Sequence, residues 1–435
     1  MTLSEDSKNF LPNKLNSFYG LKQHSVTTEK SIKLAVITQF FPPDYAATGQ
    51  LVEELVLQLG KQGLDIEVFT GQPGYAFRTA NAPGSESIGR VKIRRSRTSQ
   101  MFSGRIRGKA VNGVMFFLRA ISHMIRHRRK HNIMLVTTAP PFLPILGYLA
   151  NRLFGISYVC ILYDLYPDIA VALKVIPEKH ILTRVWQSLN RAIWRRANGL
   201  IVLSPDMKQR IVNHCPEVAD KTHVIHSWAD PDLIVPIPKK YNWFAWKHNL
   251  VNKFTVLYSG NLGRCHDMET ILAAAQELQD EPIHFLFVGG GAKAKLLKEE
   301  VKRLGLQNFQ FLPYQDKKDL PYSLTACDVS LVSVEDGMES LVAPSKVYSA
   351  LAAGRPMAVI CPQHSYLQSM IAEMKCGATF NNRDAKGLAE FFRILSRNPE
   401  MVEGMGKAAR QYMRSHFTSE VIAKEYLEVL RQSIL

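Results

Sequence analysis

Short apolar runs alternate with longer periodic stretches along the chain, in two blocks separated by a proline- and lysine-rich segment. In the first block, residues 33–38, 64–70, 158–163, 199–204 and 222–226 are apolar runs bounded by turn residues, the pattern of buried strands. Helical spacing is read over residues 50–62, with Leu51, Leu55, Leu57 and Leu59 on the buried side. It recurs over 111–127 (Met115, Phe116, Phe117, Leu118, Ile121, Met124, Ile125) and over 181–196, which carries Trp186 and Trp194. Residues 134–150 are the most membrane-like, but Pro140, Pro141 and Pro144 interrupt them and Arg152 follows. They read as strand, turn and buried helix rather than a span of about 20 apolar residues. The second block repeats the alternation. Strands are expected at 255–259, 284–288, 309–312 and 329–334, and helices from Asp267, after Gly289-Gly290-Gly291, and at 344–354. That last helix is entered at Pro344–Ser345 and capped near Gly354, with Val347, Ala350 and Leu351 on one apolar face. A closing helix over 419–435 places Val421, Ile422, Tyr426, Val429 and Leu430 on one side.

A chain of 435 residues exceeds what one core organises. The expected class is α/β, with two doubly wound, Rossmann-like domains facing an interdomain cleft. Residues 1–30 form a flexible polar tail, 31–235 the first domain, 236–252 a linker, 253–416 the second domain and 417–435 the closing helix. The linker reading rests on Pro236, Pro238, Lys239 and Lys240. The six cysteines show no CxxC pair and read as reduced thiols, and no signal peptide opens the chain, so a cytoplasmic protein is expected.

The formal net charge of +16 favours anionic partners. No nucleic-acid-binding motif appears, so nucleic acid is set aside in favour of phosphorylated ligands and an anionic membrane surface. Arg94, Arg95, Arg97, Arg105, Arg107 and Lys109 precede the 111–127 helix, which ends in Arg126, His127, Arg128, Arg129 and Lys130. A core-facing helix with a solvated cationic end and a membrane-surface helix are both compatible with this pattern.

Candidate chemistry gathers where strands end. After strand 329–334 comes the acidic loop 335–340, and then a helix whose free amides stand beside Ser345 and Lys346, a place for phosphate. After strand 255–259 come Gly260, Asn261, Gly263 and Arg264. Glycines there let backbone approach phosphate, and the guanidinium can clamp a diphosphate. Asp164 follows strand 158–163, a position that suits both a catalytic carboxylate and an ordinary turn. Thr48 and Gly49 lie in a loop before the first helix, where the glycine reads either as a turn residue or as a close approach to ligand. Asp230-Pro231-Asp232 has the DxD form of a metal chelator but leads into the linker and reads as a turn. No His/Asp/Glu cluster shows ligand spacing, so neither a metal nor another cofactor is expected.

Pro344-Ser345-Lys346 and Ala352-Ala353-Gly354-Arg355-Pro356 resemble the nucleotide-sugar glycosyltransferases of family 4, which have the GT-B fold. Within it, the bacterial exopolysaccharide (colanic-acid-type) subgroup is the nearest. The resemblance implies that the second domain holds a UDP- or GDP-sugar. The first domain would hold a glycan or lipid-diphosphate-linked acceptor, met at the cytoplasmic leaflet through peripheral attachment, and anomeric configuration would be retained. It casts Arg264 and Lys346 as the cations of the leaving diphosphate and Asp164, in Asp164-Leu165-Tyr166-Pro167, as the group that orients or deprotonates the acceptor. Gly260, Asn261, Gly263, Ser345 and Ser349 would line the donor, Pro313 and Tyr314 would lie against the base, and Thr48 and Gly49 would face the cleft. The closing helix would cross back onto the first domain. The family commonly has glutamates where this chain has Leu341 and Ser349, and Glu339 is the nearest stand-in. Two alternatives stay open: a sugar-nucleotide epimerase drawing on His226, His266 and His364, and a non-catalytic subunit binding donor or lipid.

Overall fold

The computed structural model describes residues 32–44, 47–73, 82–96 and 106–434, except for the side chains of residues 47, 106, 107, 109 and 110. The expected tail 1–30, Arg97, Arg105 and the side chains of Arg107 and Lys109 lie outside the described residues.

The apolar runs of the first block pair into one sheet: β1 (Lys33–Ile37), β2 (Asp65–Thr70), β3 (Ser85–Ile88), β4 (Val91–Arg95), β5 (Ile133–Thr137), β6 (Ser157–Leu162), β7 (Gly199–Val202) and β8 (Thr222–Val224). Their order is β3-β4-β2-β1-β5-β6-β7-β8, parallel except for β3 against β4. The second block gives β9 (Phe254–Asn261), β10 (Ile283–Gly290), β11 (Phe309–Leu312), β12 (Val329–Ser333), β13 (Met357–Ile360) and β14 (Gly377–Phe380). Here the order is β11-β10-β9-β12-β13-β14, all parallel.

Parallel strands need helical crossovers, and these cover both faces of each sheet. In the first half they are α1 (Ala47–Lys61), α2 (Ile106–His127), α3 (Pro144–Phe154), α4 (Asp168–Ala172), α5 (Ile181–Arg196) and α6 (Pro205–His214). Then follow α7 (Trp243–Lys247), α8 (Glu269–Glu277), α9 (Ala294–Arg303), α10 (Leu320–Thr325), α11 (Lys346–Ala352), α12 (Tyr366–Met374), α13 (Ala385–Arg397), α14 (Pro399–His416) and α15 (Ser419–Gln432).

Alternation along the strands sorts the second half's core into two. Val256, Tyr258, Phe285, Phe287, Val329 and Leu331 face α8 and α13 in a core of their own. Leu257, Leu286, Val288 and Val332 face the other way and join a core that runs through α11 and α15 into the first half. The closing helix α15 packs against α1: Ile422, Tyr426 and Leu430 are fully buried, and Gln58 donates to Ser419 at 3.2 Å.

Several expectations change. The first helix begins at Ala47, so Thr48 and Gly49 belong to its opening turn rather than to a loop. Gly49 is neither a turn glycine nor open to a ligand: a Cβ there would stand 3.0 Å from the backbone of Phe40 and Phe41, so the glycine lets the helix close onto its own loop. The buried side of α1 is Val52, Leu55, Val56 and Leu59, with Leu51 and Leu57 only half-buried. Helix α11 is not amphipathic, since Val347, Tyr348, Ala350, Leu351 and Ala352 are all buried between the halves. The segment expected as a linker is folded onto the second half. Asn242 caps α7 and donates to the Tyr322 carbonyl at 2.8 Å, and Lys239 pairs with Asp328 at 2.7 Å. Arg95 is no surface cation either. It is buried and reaches Glu86 (2.5 Å) and the carbonyls of Pro42 and Pro83.

Candidate functional site

In a doubly wound sheet, ligands bind beyond the strand C-termini where the strand order reverses. In the second sheet that point lies between β9 and β12. The end of β9 supplies Gly260 and Asn261, and the loop after β12 leads to Lys346 at the start of α11. The backbone there is built from glycines for a steric reason. Gly260 and Gly289 pair across β9 and β10 with φ of +115° and +136°, and a Cβ on Gly289 would collide with the Gly260 carbonyl.

Lys346 lies against this strand end. Its Nζ donates to the Asn261 carbonyl at 3.2 Å and sits 5.1 Å from the centre of the Tyr258 ring. Burial of the ammonium pushes its pKa down to about 8. A Cβ on Gly260 would stand 3.4 Å from Lys346 Cε, so the absent side chain at 260 makes room for the lysine. His266 closes the same loop: its Nδ1 accepts from the Tyr258 hydroxyl at 2.6 Å and from the Gly263 amide at 3.2 Å. Burial, then Lys346 and Lys293, drive the His266 pKa down to about 3, so the ring is neutral with its proton on Nε2. Lys293 is already used, donating to the His266 carbonyl (2.6 Å) and to Glu335 (2.7 Å). Arg264 is exposed, and no hydrogen bond or ion pair engages it among the described residues. Tyr314 lies over the neighbouring glycine loop and donates to the Gly290 carbonyl at 3.2 Å.

From the first half, Asp164 follows β6 and leads into the cleft. Water reaches its side chain, yet protein surrounds it closely enough for burial to raise its pKa to about 6. Burial, and after it the Asp164 charge, raises the pKa of the Cys265 thiol, so the carboxylate lies within electrostatic reach of the Arg264–His266 turn. Beside it is a polar recess lined by Tyr166, Asp168, Gln187, Asn190, Arg191 and His214, among others. Asp168 accepts from Arg210 (2.9 Å) and Gln187 (3.2 Å), and Arg210 also reaches Ser340 of the opposite half at 3.4 Å.

The structure therefore gathers Gly260, Asn261, Gly263 and Lys346 at one strand end, with Tyr314 over the neighbouring Gly290, Arg264 on the same turn and Asp164 opposite. Pro313 precedes Tyr314 at the end of β11. Of the remaining candidates, Ser349 alone is hydrogen-bonded to this group. The Glu339 carboxylate is buried and accepts from His364 at 2.9 Å. Ser349 turns back to the Lys346 carbonyl at 3.0 Å, and Ser345 opens α11 without a side-chain cap. Thr48 and Gly49 stand in α1. The three histidines of the epimerase alternative have separate partners: His226 with Tyr348, His266 with Tyr258, and His364 with Glu339. Asp230 accepts from the amides of Asp232 and Leu233, an ordinary turn, and Arg414 pairs with Asp232 at 3.2 Å. The sequence reading passed over Tyr258 and Lys293; the only local signal for them is their position beside glycine-rich strand ends.

Two family models match the two halves in order: “Glycosyltransferase Family 4” over residues 48–233 and “Glycosyl transferases group 1” over residues 243–412. WbjE of Pseudomonas aeruginosa, named as a glycosyltransferase, is 26% identical over 313 residues, which are 70% of this chain and 75% of that protein. WcaI of Escherichia coli (strain K12), named as a glycosyl transferase of colanic acid biosynthesis, is 35% identical over 193 residues, 42% of each chain. Among solved structures, sucrose-phosphate synthase from Thermosynechococcus elongatus aligns with a TM-score of 0.71 at 17% identity, covering 92% of this chain and 98% of that one. Anabaena HepE in complex with UDP-glucose aligns at 0.64 and 15% identity, covering 92% and 99%. Two facing parallel sheets, a cationic glycine-rich crevice in the second, and matched models for both halves lead to one conclusion: the chain belongs to glycosyltransferase family 4, has the GT-B fold, and is a nucleotide-sugar-dependent glycosyltransferase.

Proposed function

We propose that this enzyme moves a sugar from a UDP- or GDP-sugar to a glycan or lipid-diphosphate-linked acceptor in exopolysaccharide assembly, at the cytoplasmic face of an anionic membrane and with retention. The observation that carries it is Lys346 lodged against Gly260 and Asn261 at the switch point, with the unengaged Arg264 on the same turn. Two fixed cations beside side-chain-free backbone suit a diphosphate, whose negative charge grows as the glycosidic bond breaks. HepE, a structural neighbour, is described in complex with UDP and glucose, and WcaI carries a name from colanic acid biosynthesis; both support this choice of donor and pathway.

In this reading the acceptor hydroxyl oxygen bonds to the anomeric carbon on the face the diphosphate is leaving. The carbon–oxygen bond to the diphosphate breaks with its electron pair going to phosphate, and the hydroxyl proton passes to Asp164. Burial raises the affinity of that carboxylate for a proton, which suits a general base working near neutral pH. The recess around Asp168, Asn190 and Arg191 adjoins it and offers hydrogen bonds to a polyhydroxylated acceptor. Glu339, Ser345 and Ser349 are retained as donor-side candidates and Thr48, in the opening turn of α1, as an acceptor-side one.

The test is transfer from radiolabelled donor. Lys346→Ala and Arg264→Ala should each lower turnover by roughly 10²-fold or more with little change in melting temperature. Unchanged kinetics in both variants overturns the diphosphate assignment. Donor turnover without added acceptor would favour the epimerase.

A further inference from the structure

Helix α2 carries histidines at 123, 127 and, just past its end, 131. Their spacing places them on neighbouring turns of one face. The structure brings a carboxylate to them from β2. Glu67 and Phe69 point to the same side of the sheet, under α2, where Phe69 stacks on His123 at 4.2 Å between ring centroids. Side-chain ligand atoms of Glu67, His123 and His127 all lie within 4.8 Å of one another. This is the ligand cluster that sequence spacing alone was read as lacking.

Two features make this more than a chance grouping. The Glu67 side chain is only 10% exposed, and its two oxygens differ. Arg94 lies 3.3 Å from Oε2, and Oε1 faces His123 Nε2 at 3.0 Å. A metal there would take the place of a proton between Oε1 and the His123 ring. His127 is oriented for ligation: its Nδ1 lies 2.9 Å from the His123 carbonyl, so Nδ1–H donates there and Nε2 keeps its lone pair.

We propose that Glu67, His123 and His127 form a binding site for zinc or a similar divalent transition metal, which clamps the last turns of α2 to β2. Two imidazoles and one carboxylate are a borderline-soft donor set of the kind that zinc takes, with a fourth position left to water. Zinc–ligand bonds of about 2.0–2.2 Å put ligand atoms roughly 3.3 Å apart, so the cluster contracts on binding. The stacked His123 and His127 rings, 4.2 Å apart, then have to turn, and the half-exposed His127 is free to do so. Arg94 stays on the opposite carboxylate oxygen. Helix α2 runs into the start of β5, so the clamp lies at the end of the sheet opposite the strand C-termini that form the cleft. It therefore acts on the fold and not on the reacting groups.

The test uses the full chain without any added histidine tag, stripped by chelator and titrated with zinc chloride by calorimetry, with melting followed in parallel. Expected are a single saturable equivalent, a higher melting temperature with zinc, and the visible bands of tetrahedral cobalt when Co²⁺ replaces it. His127→Ala should weaken zinc binding by at least about 30-fold and erase the thermal shift, while His416→Ala, on a distant helix, leaves both unchanged. Glu67→Gln should act like His127→Ala; if it does not fold, His127→Ala decides alone. Absence of saturable binding, or equal affinity in wild type and His127→Ala, overturns the proposal. Donor turnover is not the readout, so failure here leaves the transfer reading standing.

Discussion

Two ionisable side chains in the cleft have pKa values displaced toward neutrality from opposite directions, in both cases by burial. Asp164 is raised to about 6, so it is a carboxylate, and hence a base, only above that pH. Lys346 is lowered to about 8, so it is a cation only below that pH. Both working forms coexist between these values. The kcat/KM profile of the free enzyme should therefore rise through about pH 6 and fall through about pH 8. Asp164→Asn should remove the acidic limb together with roughly 10²–10⁴-fold of the rate. Lys346→Arg, with a guanidinium that does not deprotonate, should move the alkaline limb out of range. An unchanged profile in either variant would detach that residue from the limb. The cations present also bear on metal dependence. With Lys346 and Arg264 as the proposed diphosphate cations, turnover at 25 °C should persist in EDTA, even as the proposed α2 clamp loses zinc and the melting temperature falls. Loss of turnover in EDTA that Mn²⁺ or Mg²⁺ restores would show that fixed charge is not enough.

At the scale of elements, α15 does more than end the chain. Its apolar stripe fills a slot on the first half, and Leu430 and Tyr426 are fully buried there. Trp228, which donates to Glu54 at 2.9 Å, stands edge-on to Tyr426. Arg410 of α14 braces the same region, donating to the carbonyls of Ala352 (2.5 Å), Ile234 (2.6 Å) and Pro231. The segment between the halves is thus held by side chains from the far end of the chain. Leu430→Ala should cost about 2–5 kcal/mol through lost burial and the cavity left behind. That lowers the melting temperature by about 2–6 °C with kcat nearly unchanged. A shift of a degree or less would mean α15 is dispensable to the fold.

Across the whole molecule, charge and apolar exposure fall together on the first half. Val111, Val114, Met115, Leu118 and Ile125 are exposed along α2, and Arg126, Arg129 and Lys130 are exposed at its end. Arg128, at that end, donates to the Ile125 carbonyl at 2.9 Å and sits 5.8 Å from the centre of the Phe154 ring. Exposed Ile181, Leu182 and Val185 open α5. No helix among the described residues is long and apolar enough to cross a membrane. In the proposed reading this amphipathic basic surface would meet an anionic bilayer peripherally, each nearby cation contributing about 1 kcal/mol. The full chain should co-sediment with anionic vesicles at low salt, release at high salt, and bind neutral vesicles weakly. Neutralising Arg126, Arg128, Arg129 and Lys130 together should weaken binding. Equal binding to neutral vesicles, or none to either, would rule out the electrostatic account.

What the sequence determined by itself is what local patterning controls. Period-two and helical spacing gave most strands of both sheets, and proline, glycine and lysine placed the α11 entry and its resemblance to family 4. Edge pair β3–β4 went unread because its short, polar strands carry little apolar signal. Only the tertiary structure decided what depends on distant residues meeting. It showed that Gly49 packs on Phe40 and Phe41, that Arg95 is buried against Glu86, and that residues 239–247 fold onto the second half. It put Lys346 against a strand end some eighty-five positions earlier and Glu67 beneath His123. Composition cannot report such pairings. Burial and electrostatic environment are properties of the packed chain, and the same aspartate, lysine or histidine has ordinary chemistry until its neighbours are in place.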